Sequence, residues 1–212
     1  MRVKIIQPAG LGDILFCSKI AKELLREGDE IYWPVIPHYS WIKDYIQIDG
    51  LRWEDSDSVD RVIDLQSAGR VYPEVPIMDA KYKMAGMDYE GWQGFVEYRR
   101  YPDREKALFD KVTHGKPYCL VCEIFASPPH PLRRFVEKSS EYDNIYLEWF
   151  EGFVPFDWCT VIEGASELRM VDTCYTHIIE TLNLNAGSIK LYSRDGRFYT
   201  DHLWSKPWEY VI

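Results

Sequence analysis

The first thirty-five residues constrain the fold more than any other stretch of the chain. RVKIIQ (2–7) is a nearly unbroken apolar run, the pattern of a strand buried on both faces of a parallel sheet. The turn PAGLGD (8–13) follows. ILFCSKIAKELLREG then places apolar residues at 16, 20, 21, 24 and 25, one face of a helix, and Gly28 is a natural stop. EIYWPV (30–35) reads as the next strand. Strand, helix and strand in this order make a βαβ unit, which implies parallel strands and a right-handed crossover. RVIDL (61–65) and VPIM (75–78) read as further strands, and DREKALFDKV as a helix closing the first half.

A second alternation begins at YCLVCEIF (118–125), a strand. SPPHPLRRFVEK reads as a loop running into a helix, NIYLEWF (144–150) as a strand and FDWCTVIEGA (156–165) as a helix. ELRMVD (167–172) is a short strand, TCYTHIIETLNL (173–184) a helix and SIKLYS (188–193) a strand. The expected fold class is therefore α/β, two small Rossmann-like domains covering residues 1–113 and 114–212.

Composition narrows the function. The net charge of −9 is shared by both halves with no basic stripe, which argues against binding a nucleic-acid backbone. An aromatic content of 15% is far too high for a solvated tail. No run reaches the ~18 apolar residues of a bilayer span, the amino terminus reads as a strand rather than a signal peptide, and no lysine-rich amphipathic helix suggests membrane attachment. Five cysteines, mostly in apolar runs, suit reduced thiols in a cytoplasm. Cys119 and Cys122 have C-x-x-C spacing, but residues three apart on a strand face opposite sides, so both read as core. Asp55-Ser56-Asp57 has the spacing of a D-x-D metal motif inside an acidic loop. No metal is expected.

Three motifs carry chemistry. In Gly10-Leu11-Gly12-Asp13 the glycines allow close approach to a ligand, at the carboxyl end of a strand where open α/β sheets bind them. Leu15 replaces the third glycine of a dinucleotide fingerprint, no acidic residue ends the second strand, and no G-K-[ST] is present. A tight turn with Asp13 as helix cap is the plainer reading. In Val171-Asp172-Thr173-Cys174-Tyr175-Thr176-His177, Asp172 ends a strand, Thr173 can cap the next helix, and His177 lies one turn in. This is either a diphosphate site or a cap with a packed histidine. Arg133-Arg134, behind the proline-rich loop, can clamp phosphate or simply be solvated.

Together these segments resemble the heptosyltransferase-like glycosyltransferases that build lipopolysaccharide core. MRVKIIQPAGLGDILFCSKIAKEL is similar to that family's opening, and EGASELRMVDTCYTHIIETLNL to its D-[ST]-G-x-x-H signature, with Cys174 in the glycine's place. The resemblance implies a minimal GT-B fold, two Rossmann-like domains facing across a cleft. It implies inverting, metal-independent transfer from a nucleotide-diphosphate-sugar donor to a glycan or other hydroxyl acceptor, with no further cofactor. Residue by residue, Asp13 matches the catalytic base. Asp172, Thr173 and His177 match the motif that contacts the donor, and Gly10 and Gly12 lie in the opening loop. Ser127, Arg133 and Arg134 lie where the family places a basic phosphate ligand. The segment MDAKYKMAGMDYEGWQGFVEYRR has no counterpart in the lipopolysaccharide enzymes. The rival expectations are a non-catalytic glycan- or protein-binding module, with Trp92, Trp149, Trp158, Trp204 and Trp208 available for sugar stacking, and a nucleotide-sugar epimerase.

Overall fold

In the computed structural model, which describes residues 1–125 and 132–212, Val3 and Ile5 are fully buried on strand β1 (Arg2–Ile6). Parallel strands flank it on both sides. On β2 (Glu30–Tyr32), Ile31 lies opposite Val3; on β3 (Arg61–Asp64), Ile63 lies opposite Ile5. Helix α1 (Leu11–Arg26) connects β1 to β2. Residues 14–21 are buried without a break, so the helix is covered on more than the one face that the apolar spacing marked, and exposure begins only in its last turns. The βαβ opening thus forms as expected. Strand β2 stops just short of Pro34, which has no N–H to give the ladder.

Two one-turn helices, α2 (Ile42–Tyr45) and α3 (Ala68–Val71), precede α4 (Ile77–Ala85). The strand expected over 75–78 is not there. Pro76 is the residue before α4, and Met78, Lys81, Tyr82 and Ala85 are buried at helical spacing. A four-residue apolar run does not distinguish strand from helix, and the periodicity that does so begins only beyond it.

The chain divides into two compact units, Met1–Arg99 and Arg100–Ile212. The division precedes the expected boundary at 113/114, because helix α5 (Pro102–Val112) packs on α6 (Cys159–Gly164) and the 3₁₀ turn before it. Arg104 ties this contact: its Nε and Nη2 donate to the two carboxylate oxygens of the fully buried Asp157, at 3.0 and 2.7 Å.

Within the second unit, β4 (Tyr118–Cys122) is buried along its whole length, as a central strand of a parallel sheet should be. The sheet has five parallel strands. β7 (Asp143–Tyr146) borders β4 on one side and β8 (Glu167–Val171) on the other, with β9 (Ser188–Tyr192) and β10 (Glu209–Val211) beyond β8. Helix α7 (Cys174–Ile179) follows β8. Residues Ile124–Phe125 (β5) and Leu132–Arg133 (β6) form a short antiparallel pair, and the described residues 132–138 contain no helix, contrary to the expectation for this segment. Leu132 and Phe135 are exposed and Val136 alone is buried there, which leaves no apolar stripe for a helix to cover. Cys119 and Cys122 are both core, as read from the sequence. Among the described residues, no helix is long and apolar enough to cross a membrane.

Both units share one winding. The first strand is central, the second lies on one side of it, and the third on the other. The switch point therefore falls between β1 and β3 in the first unit and between β4 and β8 in the second. Open α/β sheets bind ligands outside the carboxyl ends of strands at such points.

Candidate functional site

At the first switch point the chain leaves β1 through the buried Gln7. Its Nε2 donates to Ala9 O (2.6 Å), and its carbonyl accepts from Trp33 Nε1 (2.9 Å), which pins the turn. Gly10 has φ +84°, a conformation that L side chains rarely adopt, and a Cβ there would lie 2.5 Å from Asp13 Oδ2. Gly12 is buried in the first turn of α1. No side chain caps this helix start, so Asp13 is not a cap. Its Oδ1 lies 3.2 Å from Lys81 Nζ instead, with the Asp13 side chain 36% exposed and that of Lys81 only 4%.

Lys81 is the residue that sequence reading missed. Its ammonium also donates to Gln7 Oε1 (2.5 Å) and to the carbonyl of Leu65, just past β3 (3.3 Å). Two hydrogen bonds and one facing carboxylate thus surround the ammonium, which is how a buried charge is tolerated. The signal was present: the register of Met78, Tyr82 and Ala85 places Lys81 on the buried face of α4. Below this cluster the Cys17 thiol is fully buried, and desolvation pushes its pKa up to about 12.

At the second switch point Asp172 and Thr173 follow β8 directly. Thr173 Oγ1 accepts from the Tyr175 N–H (3.1 Å), while the Thr173 N–H donates to Thr176 Oγ1 (3.3 Å), a reciprocal cap of α7. Asp172 is buried, and its Oδ2 accepts from Thr200 Oγ1 at 2.8 Å. His177 is buried with Trp204 edge-on, ring centroids 4.9 Å apart. The three motif residues therefore cluster, under the surface. Cys174 stands beside Thr173, and burial raises its thiol to about 11.

The basic residues divide. Arg134 reaches the carboxyl end of β9, where its Nη1 donates to Ser193 Oγ (3.3 Å). Arg133 is exposed and lies 4.0 Å from Glu123 and 3.8 Å from Glu148. Ser127 lies outside the described residues. Arg194 joins the group unforeseen: its Nε donates to the Asp172 carbonyl at 2.5 Å. Elsewhere Asp55 of the D-x-D sequence pairs with Lys4. Among the tryptophans weighed for stacking, Trp92, Trp158 and Trp208 are core residues.

Two α/β units of parallel strands, each with polar groups gathered at its switch point, give this chain a fold that it shares with solved glycosyltransferases. The solved structures it matches bear this out. The iron-containing dodecameric glycosyltransferase TibC of enterotoxigenic E. coli H10407 matches with a TM-score of 0.56 at 9% identity, over 99% of this chain and 61% of that one. A second TibC structure, a heptosyltransferase in complex with ADP-D-beta-D-heptose, matches at 0.52 and 10% identity, over 94% of this chain and 60% of that one. The family 9 glycosyl transferase of Veillonella parvula DSM 2008 matches at 0.54 and 10% identity, over 99% of this chain and 86% of that one. This chain thus spans under two thirds of the length of TibC, and the likeness is one of fold. No protein-family model and no curated protein matches the sequence.

Proposed function

We propose that the protein is a glycosyltransferase that moves a sugar from a nucleotide-diphosphate-sugar to an acceptor hydroxyl, with inversion and without a metal ion. The observation that carries this reading is a partly exposed carboxylate, Asp13, fixed by a buried cation at the switch point of one unit of a glycosyltransferase fold. In the reaction Asp13 takes the proton of the acceptor hydroxyl as its oxygen attacks the anomeric carbon. The bond from that carbon to the diphosphate breaks on the opposite face, so one displacement inverts the centre. Arg134 meets the charge on the departing nucleoside diphosphate, the role a metal fills in other enzymes. Asp172, Thr173 and His177 form the floor under the donor. Gly10 keeps the approach to Asp13 open, since any Cβ there would displace the carboxylate.

The test is a thermal-shift series against nucleotide-sugars, with and without Mg²⁺, starting from an ADP-sugar because TibC was solved with ADP-D-beta-D-heptose. A donor at a hundred times its dissociation constant adds about 2.7 kcal/mol of stability. A shift that persists in EDTA, followed by transfer to an added acceptor, is the expected outcome. No shift with any nucleotide or nucleotide-sugar removes the reading. Donor conversion without acceptor indicates an epimerase, and glycan binding without nucleotide indicates a binding module.

A further inference from the structure

We infer that Arg194 is a phosphate ligand of the donor site and that Asp172 is its positioning residue, an assignment that rests on reading the second unit as the donor-binding one. Neither the sequence motifs nor the resemblance assigns this arginine a role.

Arg194 lies two residues past the end of β9, beside the carboxyl end of β8. One edge of its guanidinium is spent on the protein. Nε donates to the Asp172 carbonyl at 2.5 Å, and Nη2 lies 4.0 Å from Asp172 Oδ1. Among the described residues no other hydrogen-bond acceptor engages it; its guanidinium lies over the Phe125 ring, 6.0 Å from the centroid, and half of the side chain is exposed. An arginine present only to neutralise Asp172 would turn its fork onto the carboxylate, where two parallel bonds form at under 3 Å. Here the short bond goes to a carbonyl, which needs a donor and not a cation, so the positive charge is left for something else.

The surroundings fix that charge in place. Asp172 is held by Thr200 through Oδ2, so segment 194–200 is anchored to one aspartate at both ends. Ser193, fully buried, accepts from Arg134 Nη1 (3.3 Å) and from the Gly196 N–H (2.9 Å). Consecutive residues 193 and 194 thereby gather two guanidinium groups from distant parts of the chain. Two planar forks at the carboxyl ends of parallel strands suit an anion with two phosphoryl groups.

The experiment is isothermal titration of the 212-residue chain with ADP and with inorganic pyrophosphate. The variants are Arg194→Gln, Arg194→Lys and, as a control, Arg197→Gln, an exposed arginine in the same segment. Arg194→Gln should weaken both ligands roughly tenfold to a hundredfold, the worth of a charged hydrogen bond. Arg194→Lys should fall between it and the wild type, and Arg197→Gln should stay within about twofold. If the wild type binds both ligands and Arg194→Gln binds them equally well, the assignment is wrong while the donor reading stands. If the wild type binds neither, both are overturned. Should Arg194→Gln fail to fold, Arg194→Lys decides: wild-type affinity refutes the assignment, and a clear loss of affinity for both ligands supports it.

Discussion

Lys81 Nζ and Asp13 Oδ1 lie 3.2 Å apart, yet the lysine is buried and more than a third of the aspartate side chain meets solvent. The cation is therefore a fixed post and the carboxylate a group held against it. Because Lys81 also grips Gln7 and Leu65, one ammonium ties the ends of β1 and β3 to the first turn of α1. The base proposed at Asp13, fixed in this way, would need no reorganisation when substrate arrives.

Asp13→Asn should lower turnover by about two to four orders of magnitude, the usual worth of a positioned general base. Affinity for a nucleoside diphosphate should stay near the wild-type value, since the guanidinium groups proposed to bind it belong to the second unit. Steady-state kinetics beside a binding isotherm separate the two quantities. Equal activity in the variant would show that Asp13 has only a structural role.

Lys81→Met should cost about 2 kcal/mol of stability, because Gln7 Oε1 and the Leu65 carbonyl lose a buried donor. Turnover should fall as well, through loss of Asp13 positioning. In a double-mutant cycle with Asp13→Asn the effects on turnover should be strongly non-additive, by roughly 1–3 kcal/mol. Strict additivity would make the pair incidental to catalysis.

Gly10→Ala and Gly28→Ala form a matched comparison. Both glycines have positive φ, +84° and +89°, so each substitution carries a backbone cost of about 1–2 kcal/mol. The space around them differs: a Cβ at Gly10 collides with Asp13 Oδ2, and one at Gly28 meets nothing within 4 Å. Similar losses in melting temperature, with activity lost only at Gly10, are expected.

Apolar runs and helical apolar spacing were legible in the sequence, which is why β1, α1, β4 and β8 fall where they do, although only β4 is buried along its whole length and β1 and β8 keep half-buried positions. The strand pairing rules then place Asp13 and Asp172 at carboxyl ends without any coordinates. Lys81 was not legible as a site residue, because a lysine in a polar, aromatic stretch reads as surface until its helix is found. Arg194 was hidden for a different reason. Its value comes from Asp172, twenty-two positions away, and from the parallel pairing of β8 with β9. β10 escaped notice because three residues after a proline carry too short a pattern to read.

Alkaline pH should destabilise the protein through its buried thiols. Desolvation lifts Cys17 and Cys122 from an ordinary value near 9 to about 12, and Cys119 to about 11. Above pH 9 the unfolded chain releases these protons while the folded one retains them, so stability falls with rising pH until the folded values are reached. Denaturant titrations at about pH 8.5 and 10.5 should show this decline, and Cys122→Ala should reduce its slope. A thiol reagent at pH 8 should label Cys17, Cys119 and Cys122 only as the chain unfolds.

Helix α5 opens the second unit, and this determines how the molecule can be dissected. A carboxy-terminal fragment begun at residue 114, where the first strand of that unit is about to start, would lack Arg104 and expose the face of α6 that α5 covers. Asp157, with no exposed surface of its own, would lose both arms of its guanidinium partner, and such a fragment should aggregate or stay unfolded. A fragment begun at Arg100 keeps the helix and also the bonds from Arg100 to Glu105 and Glu163. A carboxy-terminal fragment begun at Arg100 should therefore fold and stay in solution, and one begun at the start of the strand should not.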